Sequence, residues 1–221
     1  AGGLGVPVYR YAAAADDGRP TELSVLRRGQ VEGLRTRMDA GVLLPDHGPT
    51  TWSPSVARSG ATIVGARGLL VALNLTLDRD DRDAARAIAA AVRSRGPVRR
   101  DATGAVLRGA DGRPLRTEGP FPGVRAIGWS IEEYGRAQVS LNLVDPLNTP
   151  VAALLARVES EAASRGLAVD GAELVGLCPA AVLERVSVDT SGPPTGPGAW
   201  AQAVSALRLD HLGPVDPTAL V

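Results

Sequence analysis

Imidazoles and thiols, side chains suited to proton transfer and metal ligation near neutral pH, are few in this chain. It has two histidines, His47 in PDHGP and His211 in LDHLGP, and one cysteine, Cys178. An imidazole titrating near neutral pH suits a proton relay. Neither histidine, however, has a neighbouring Ser, Cys or acidic partner in a recognised catalytic arrangement, and each reads as a loop or surface residue. Asp46 directly precedes His47, a pairing that only a structure can interpret. Glu132 and Glu133 form a carboxylate pair, but EEYGR between two strand-like runs fits a solvated turn. A lone cysteine closes no intrachain disulfide and lacks metal-ligand neighbours, so Cys178, beside Pro179, reads as a small buried side chain. On residue types and spacing alone, the catalytic residue is unknown and no metal site is expected.

A second chemistry is hydrogen bonding by amides. Residues 60 to 77 read GATIVGARGLLVALNLTL, an apolar run that carries Arg67 and Asn74, although burying an unpartnered polar group costs roughly 2–7 kcal/mol. Strand side chains alternate between faces. Over 69 to 77 one face carries Leu69, Val71, Leu73, Leu75 and Leu77, and the other carries Leu70, Ala72, Asn74 and Thr76. AQVSLNLV divides the same way, with Val139, Leu141 and Leu143 opposed to Gln138, Ser140 and Asn142. Two readings of the polar face stay open. Either it meets water, as one face of an antiparallel sheet often does, or it is a groove whose amides bond a ligand or a second sheet, since Asn is disfavoured in strands. Arg67, at the GAR break in the strand rhythm, is either a surface arginine or a guanidinium offered to a carboxylate.

The elements that must position these groups follow from composition and pattern. Of 221 residues 44% are hydrophobic, enough for a sizeable core, and 24 basic residues balance 24 acidic ones. That balance excludes an overall field drawing the protein onto nucleic acid or an anionic membrane. No apolar stretch reaches membrane-span length and no signal peptide is present, so a soluble protein of the reducing cytoplasm is expected. The chain opens AGGLGVPVYRY without an initiator methionine, and by Pro7 it is inside a strand-like segment, the pattern expected of a fragment.

VPVYRY reads as a strand, and Thr21 as the N-cap of a helix to about Met38 with Leu23, Leu26 and Leu34 as its stripe. The Pro-rich stretch from Gly41 to Gly60 reads as a loop between two units, 1–59 and 60–221. The second unit then runs through a strand over 60–77, a helix over 81–95 stopped by Gly96-Pro97, and a hairpin excursion centred on Asp111-Gly112. Strands VRAIGWSI and AQVSLNLV follow, then a helix capped by Thr149 with Pro150 at its first position, a strand over 168–177 and a short helix from Pro179. SVDTSGPPTGPGAW reads as a flexible loop, and AQAVSALRLD as a helix or strand. The fold class is α/β (α+β): a ferredoxin-like βαββαβ subdomain with an antiparallel sheet and helices on one face, preceded by a truncated, similar α/β subdomain.

Six blocks in order, VPVYRY, PDHGPTTWSP, GATIVGARGLLVALNLTL, AIGWSIEEYGRAQVSLNLVDPLNTPV, ELVGLCPAAVL and LRLDHLGPVDP, strongly resemble the glutamate formiminotransferase family over nearly the whole chain. The resemblance implies transfer of the formimino group from N-formimino-L-glutamate to N5 of tetrahydrofolate, the co-substrate, in histidine degradation. It also implies two similar α/β subdomains whose sheets face each other with folate between them, and a homodimer as one available assembly. The Asn74 and Asn142 face would then be a wall of the folate channel or of the contact with the partner sheet. The family's folate loop corresponds to Gly48 through Gly60. By resemblance Gly48, Pro49, Thr50, Thr51, Trp52, Ser53, Pro54, Ser55 and Gly60 are therefore folate-binding candidates, together with Arg67, Asn74 and Asn142. A few extra residues around Val56-Ala57-Arg58 disturb the loop's register.

The departure from the family concerns catalysis. Family members carry a His-Pro motif whose histidine is the proposed acid/base group, and no His-Pro pair occurs here; the segment that would hold it is expected in an upstream subdomain. Alternatives are a noncatalytic folate-binding or assembly module, a formyl-transferring relative, and a transferase that uses His47.

Overall fold

The computed structural model describes residues 2–16, 18–19, 22–110, 112–191, 195–211 and 213–221. Two compact units divide between Gly68 and Leu69. The first is built on a parallel strand pair, β1 (Val8–Ala12) and β2 (Thr62–Ala66), with Val8 opposite Thr62 and Tyr9 opposite Ile63. One apolar cluster of Tyr9, Leu26, Leu34, Met38 and Val56 holds it together, and Tyr11, Leu43, Trp52, Ala61 and Ile63 pack against this cluster.

Three expectations change in this unit. The single helix expected to Met38 is two, α1 (Leu23–Leu26) and α2 (Leu34–Asp39); its expected cap, Thr21, lies outside the described residues. Gly29, at φ +75°, turns the chain between them, a conformation that costs glycine little. A Cβ on Gly33 would lie 2.9 Å from the Gly29 carbonyl oxygen, so this reversal is closed against backbone. Within the expected loop, α3 (Pro54–Ser59) forms behind Ser53, whose hydroxyl accepts from the Val56 N–H at 3.2 Å. The run GATIVGARGLLVALNLTL, read as one strand, is two. β2 belongs to the first unit, and β3 (Val71–Leu77) opens the second.

The second unit carries an antiparallel sheet of four strands in the order β6-β7-β3-β8. Helix α4 (Arg82–Val92) follows β3, and the paired strands β4 (Arg95–Val98) and β5 (Arg116–Glu118) come before β6 (Val124–Ile131) and β7 (Arg136–Leu143). Helix α5 (Val151–Ala163) leads to β8 (Val169–Val175), and α6 (Ala180–Ser191) and α7 (Pro197–Leu207) complete the unit. Asp81 caps α4 by accepting from the Ala84 N–H at 2.8 Å. Thr149 caps nothing; its buried hydroxyl donates to the Asp145 carbonyl at 2.7 Å. The excursion exists, based on β4 and β5 where Gly96-Pro97 was expected only as a stop. Its expected turn residue Asp111 lies outside the described residues. Helix α6 extends to Ser191, through the first part of the stretch read as loop.

Alternation holds in the sheet. Leu73, Leu75 and Leu77 of β3 and Val139, Leu141 and Leu143 of β7 are at most 2% exposed, and they share one core with Ile88 and Val92 of α4 and Leu154 and Val158 of α5. Each such leucine contributes roughly 1.5–3 kcal/mol through removal from water. Helix α4 presses so closely on β6 that a Cβ at Gly128 would lie 2.2 Å from the Ala85 carbonyl carbon and the Arg86 nitrogen.

Two predictions follow from these contacts. Gly128→Ala must push α4 off the sheet, because the obstructing atoms are backbone; chemical denaturation should register a loss of about 1–3 kcal/mol or more, and an unchanged midpoint would contradict the packing. Asp46 is held below the usual carboxylate range: burial opposes ionisation, but the Arg10 N–H at 2.7 Å and the Arg19 guanidinium at 2.9 Å outweigh it. A carboxyl depressed in the folded state stabilises above its unfolded value of about 3.9 and loses that contribution as pH falls through the folded value. Asp46→Asn should therefore cost about 1–3 kcal/mol at neutral pH and flatten the acid side of the stability profile, as followed by thermal melts from about pH 7 to pH 3.

Candidate functional site

The face of the four-stranded sheet opposite the leucines is exposed at Arg125, Asn142, Ile127 and Glu173 and buried at Gln138, Thr76 and Gly171. Register sets its rows. Arg125, Asn142, Ala72 and Val175 lie abreast across β6, β7, β3 and β8; next come Ile127, Ser140, Asn74 and Glu173, and then Trp129, Gln138, Thr76 and Gly171. Asn74 and Asn142 thus share a face, as their alternation predicts, one pair apart on neighbouring strands. Asn142, Arg125 and Glu173 are exposed and Asn74 and Ser140 half-buried.

Hydrogen bonds organise this surface from within. The Asn74 amide donates to Glu173 Oε2 at 3.3 Å, and Gln138 Nε2 donates to Thr76 Oγ1 at 3.0 Å. Gln138 and Thr76 are buried. Beside them His211 occupies the space over Gly171, where a Cβ would lie 2.2 Å from its Cγ. Its Nδ1 is 3.1 Å from the Arg208 carbonyl, an acceptor only, so that nitrogen is the donor of this bond. Sequence placed His211 in a loop; the fold seats it at the edge of the amide face.

Apolar groups flank the amides. Ile127 and Val175 are 62% and 51% exposed, and Trp129 is 41% exposed. An indole on an open face next to carboxamides and a carboxylate can stack a flat ring while the polar groups read its edge. Sequence reasoning overlooked Trp129. Its signal was available in the alternation of VRAIGWSI, which opposes Ile127 and Trp129 to the buried Val124 and Ala126.

The other candidates are distributed differently. Arg67 lies exposed after β2 and outside both strands, so it is not on the amide face. Gly48, at φ +81°, lies so close to β1 that a Cβ would fall 2.4 Å from the Val6 carbonyl oxygen. Pro49 is half-buried, whereas Thr50 and Thr51 are exposed. Trp52 packs against the first unit's core, and the Ser53 hydroxyl is engaged in capping. Pro54 and Ser55, both exposed, lie in the first turn of α3, and Gly60 ends that helix at φ +65°.

His47 bridges to Val8 through its backbone and is exposed. Asp46 gives its carboxylate to Arg10 and Arg19, which accounts for its position beside His47 without catalysis. Glu132 and Glu133 sit exposed in the turn between β6 and β7. Cys178 is buried, and burial pushes its thiol up to about 11, far from a reactive thiolate. Among the described residues no three His, Cys, Asp or Glu side chains cluster to hold a metal, and no helix is long and apolar enough to cross a membrane.

Comparison with known proteins gives this surface its context. Residues 72–188 match the formiminotransferase domain, and residues 1–67 match its N-terminal subdomain. The formimidoyltransferase-cyclodeaminase of Gallus gallus is 37% identical over 176 residues, 80% of this chain and 29% of that protein. The glutamate formimidoyltransferase of Streptococcus pyogenes serotype M1 is 31% identical over 180 residues, 81% and 52% of the two chains. That of Thermoplasma acidophilum is 29% identical over 178 residues, 80% and 50%. The chain thus spans under a third of the first relative and about half of the other two. A domain match over more than half of its length, continued by the subdomain match before it, means that the chain belongs to the formiminotransferase family.

Proposed function

We propose that this chain contributes a folate-binding wall to a glutamate formimidoyltransferase, which moves the formimino group from N-formimino-L-glutamate to N5 of tetrahydrofolate. The observation that carries the reading is a partly exposed sheet face that sets amides and a carboxylate beside an exposed indole. A pterin edge carries both donors and acceptors. Glu173 would accept from its N–H groups, the Asn74 and Asn142 amides would serve either kind, and Trp129 would stack the ring. Arg125, abreast of Asn142, would face a folate carboxylate. Thr50, Thr51, Ser55 and Arg67, all exposed, belong to the first unit and remain folate-binding candidates on the family resemblance alone.

In the reaction N5 attacks the formimino carbon, a tetrahedral intermediate forms, and its collapse expels glutamate and leaves N5-formiminotetrahydrofolate. That sequence needs a proton relay. Its His-Pro motif is absent from these 221 residues, and the Asp46 carboxylate beside His47 is engaged by Arg10 and Arg19. The relay would come from a segment beyond this chain, and alone the chain binds without turnover. The split βαββαβ pattern is the fold we assign to the second unit, supported by its strand order and by the helices between β3 and β6 and between β7 and β8. The second reading, a noncatalytic folate-binding module, rests on the same missing motif.

Calorimetric titration of the chain with N5-formyltetrahydrofolate tests the binding surface. Trp129→Ala and Asn74→Leu should each weaken binding about tenfold, equivalent to about 1.4 kcal/mol. A folded chain that does not bind, or binding indifferent to both substitutions, would remove the amide face from the proposal. Turnover by the chain alone that survives His47→Ala would refute an external relay.

A further inference from the structure

Charges that balance over the whole chain do not balance in the excursion between α4 and β6. Residues 93–118 carry seven arginines against Asp101, Asp111 and Glu118, and no aromatic side chain. The backbone holds this arm in a fixed shape. Leu107 donates its N–H to the Arg99 carbonyl, Leu115 to the Leu107 carbonyl and Arg99 to the Leu115 carbonyl, at 3.0, 2.8 and 2.8 Å, so that three passes of chain close on one another. Arginines recur in that frame. Arg100, Arg108 and Arg116 stand eight residues apart, and each gives Nη1 to a glycine carbonyl, those of Gly104, Gly112 and Gly96, at 2.7, 2.8 and 3.1 Å. One such bond orients a guanidinium and leaves its other N–H groups to donate.

Arginines elsewhere on this protein find carboxylates: Arg35 has Asp39, Arg86 has Asp83, Arg136 has Asp170 and Arg157 has Glu161. In the arm, Arg93, Arg95, Arg99, Arg100, Arg108 and Arg116 have no ion pair among the described residues. The acids present do not supply one. Asp101 Oδ1 accepts from the Thr103 N–H, the Thr103 hydroxyl and the Ala105 N–H, and Glu118 lies opposite Arg95 in the β4–β5 pair without closing an ion pair among the described residues. Arg93 is half-buried and the other five are exposed. Its guanidinium is held below the ordinary arginine value, first by burial and then by repulsion from Arg116 and Arg95. Like charges fixed this close call for an anionic partner from outside the fold.

We propose that this arm binds the phosphate backbone of duplex DNA independently of base sequence. Phosphates supply one negative charge per about 1.7 Å of duplex, whereas an extended acidic peptide offers at most one per residue of about 3.3 Å. The major groove, about 12 Å wide, admits a two-stranded β-ribbon. An arm without aromatic side chains has nothing on which unpaired bases could stack, which favours a duplex over a single strand. β4 and β5 pair as a sheet of their own, apart from the four strands that carry the amide face. DNA binding here therefore stands or falls separately from folate binding.

The test is fluorescence anisotropy of a labelled DNA duplex two helical turns long, titrated with the full chain across a salt series. Binding should weaken linearly in log[salt], with a slope of about −0.9 per phosphate contacted, and a duplex of unrelated sequence should bind as tightly. Arg95→Gln/Arg99→Gln removes two exposed side chains that have no hydrogen bond among the described residues, so the arm keeps its shape. It should flatten the salt slope by about 2 and weaken binding at low salt about tenfold. Arg35→Gln/Arg157→Gln removes the same charge from exposed ion pairs elsewhere and should leave slope and affinity as they were. Absence of salt-dependent binding, equal weakening by the two double variants, or a strong preference for one sequence would overturn the proposal. So would a glutamate peptide that displaces the duplex as well as unlabelled DNA does at equal charge, since the arm would then be a surface for carboxylates.

Discussion

The pairing of β3 with β7 is the constraint on which the second unit depends. In a pleated pair the register that places Leu73 opposite Leu141 also places Asn74 opposite Ser140, and a slip of one residue would exchange the faces. Helices α4 and α5 cover only the leucine side, so hydrophobic burial and amide exposure are one decision made in a single register. Two glycines let neighbours come close on opposite sides of that sheet. Gly128 admits the backbone of α4 on the core side, and Gly171 leaves room for His211 on the other.

Local backbone geometry also decides which polar side chains remain for a ligand. Ser53 fills the N-terminal donor of α3, Thr149 returns to a carbonyl four residues back, and Asp46 joins Arg19 to the amide of Arg10. Each is a side chain of catalytic type near a backbone group or a half-buried cation, and each is engaged by it. Groups on the open face of β3, β7 and β8 are different. The strands already satisfy their backbone, so Asn142 and Glu173 stand at a surface with side-chain capacity beyond the sheet.

Much of the second unit was legible because its signals are periodic. The β6 and β7 strands, the Gly135 turn between them and the apolar stripes of α4 and α5 all follow from spacing within a few residues. The failures share a cause. The Gly29 reversal and the break at residues 67–70 fall inside continuous apolar patterns, where composition cannot say whether the chain goes on or folds back. Helix α3 had a readable Ser-Pro start, but the prolines around it gave the stretch the composition of a loop.

For the site, the sequence by itself determined the alternation that sets Asn74 and Asn142 on one face and the scarcity of histidine and cysteine. These are local properties, fixed by side-chain period and by residue type. Only tertiary structure decided which strands lie abreast, that Trp129 and Glu173 join the amides, that His211 reaches Gly171, and that Arg67 does not share their strand. Those relations join residues tens of positions apart. They are set by strand order and by the direction in which α4 and α5 pack, information that no short stretch of sequence carries.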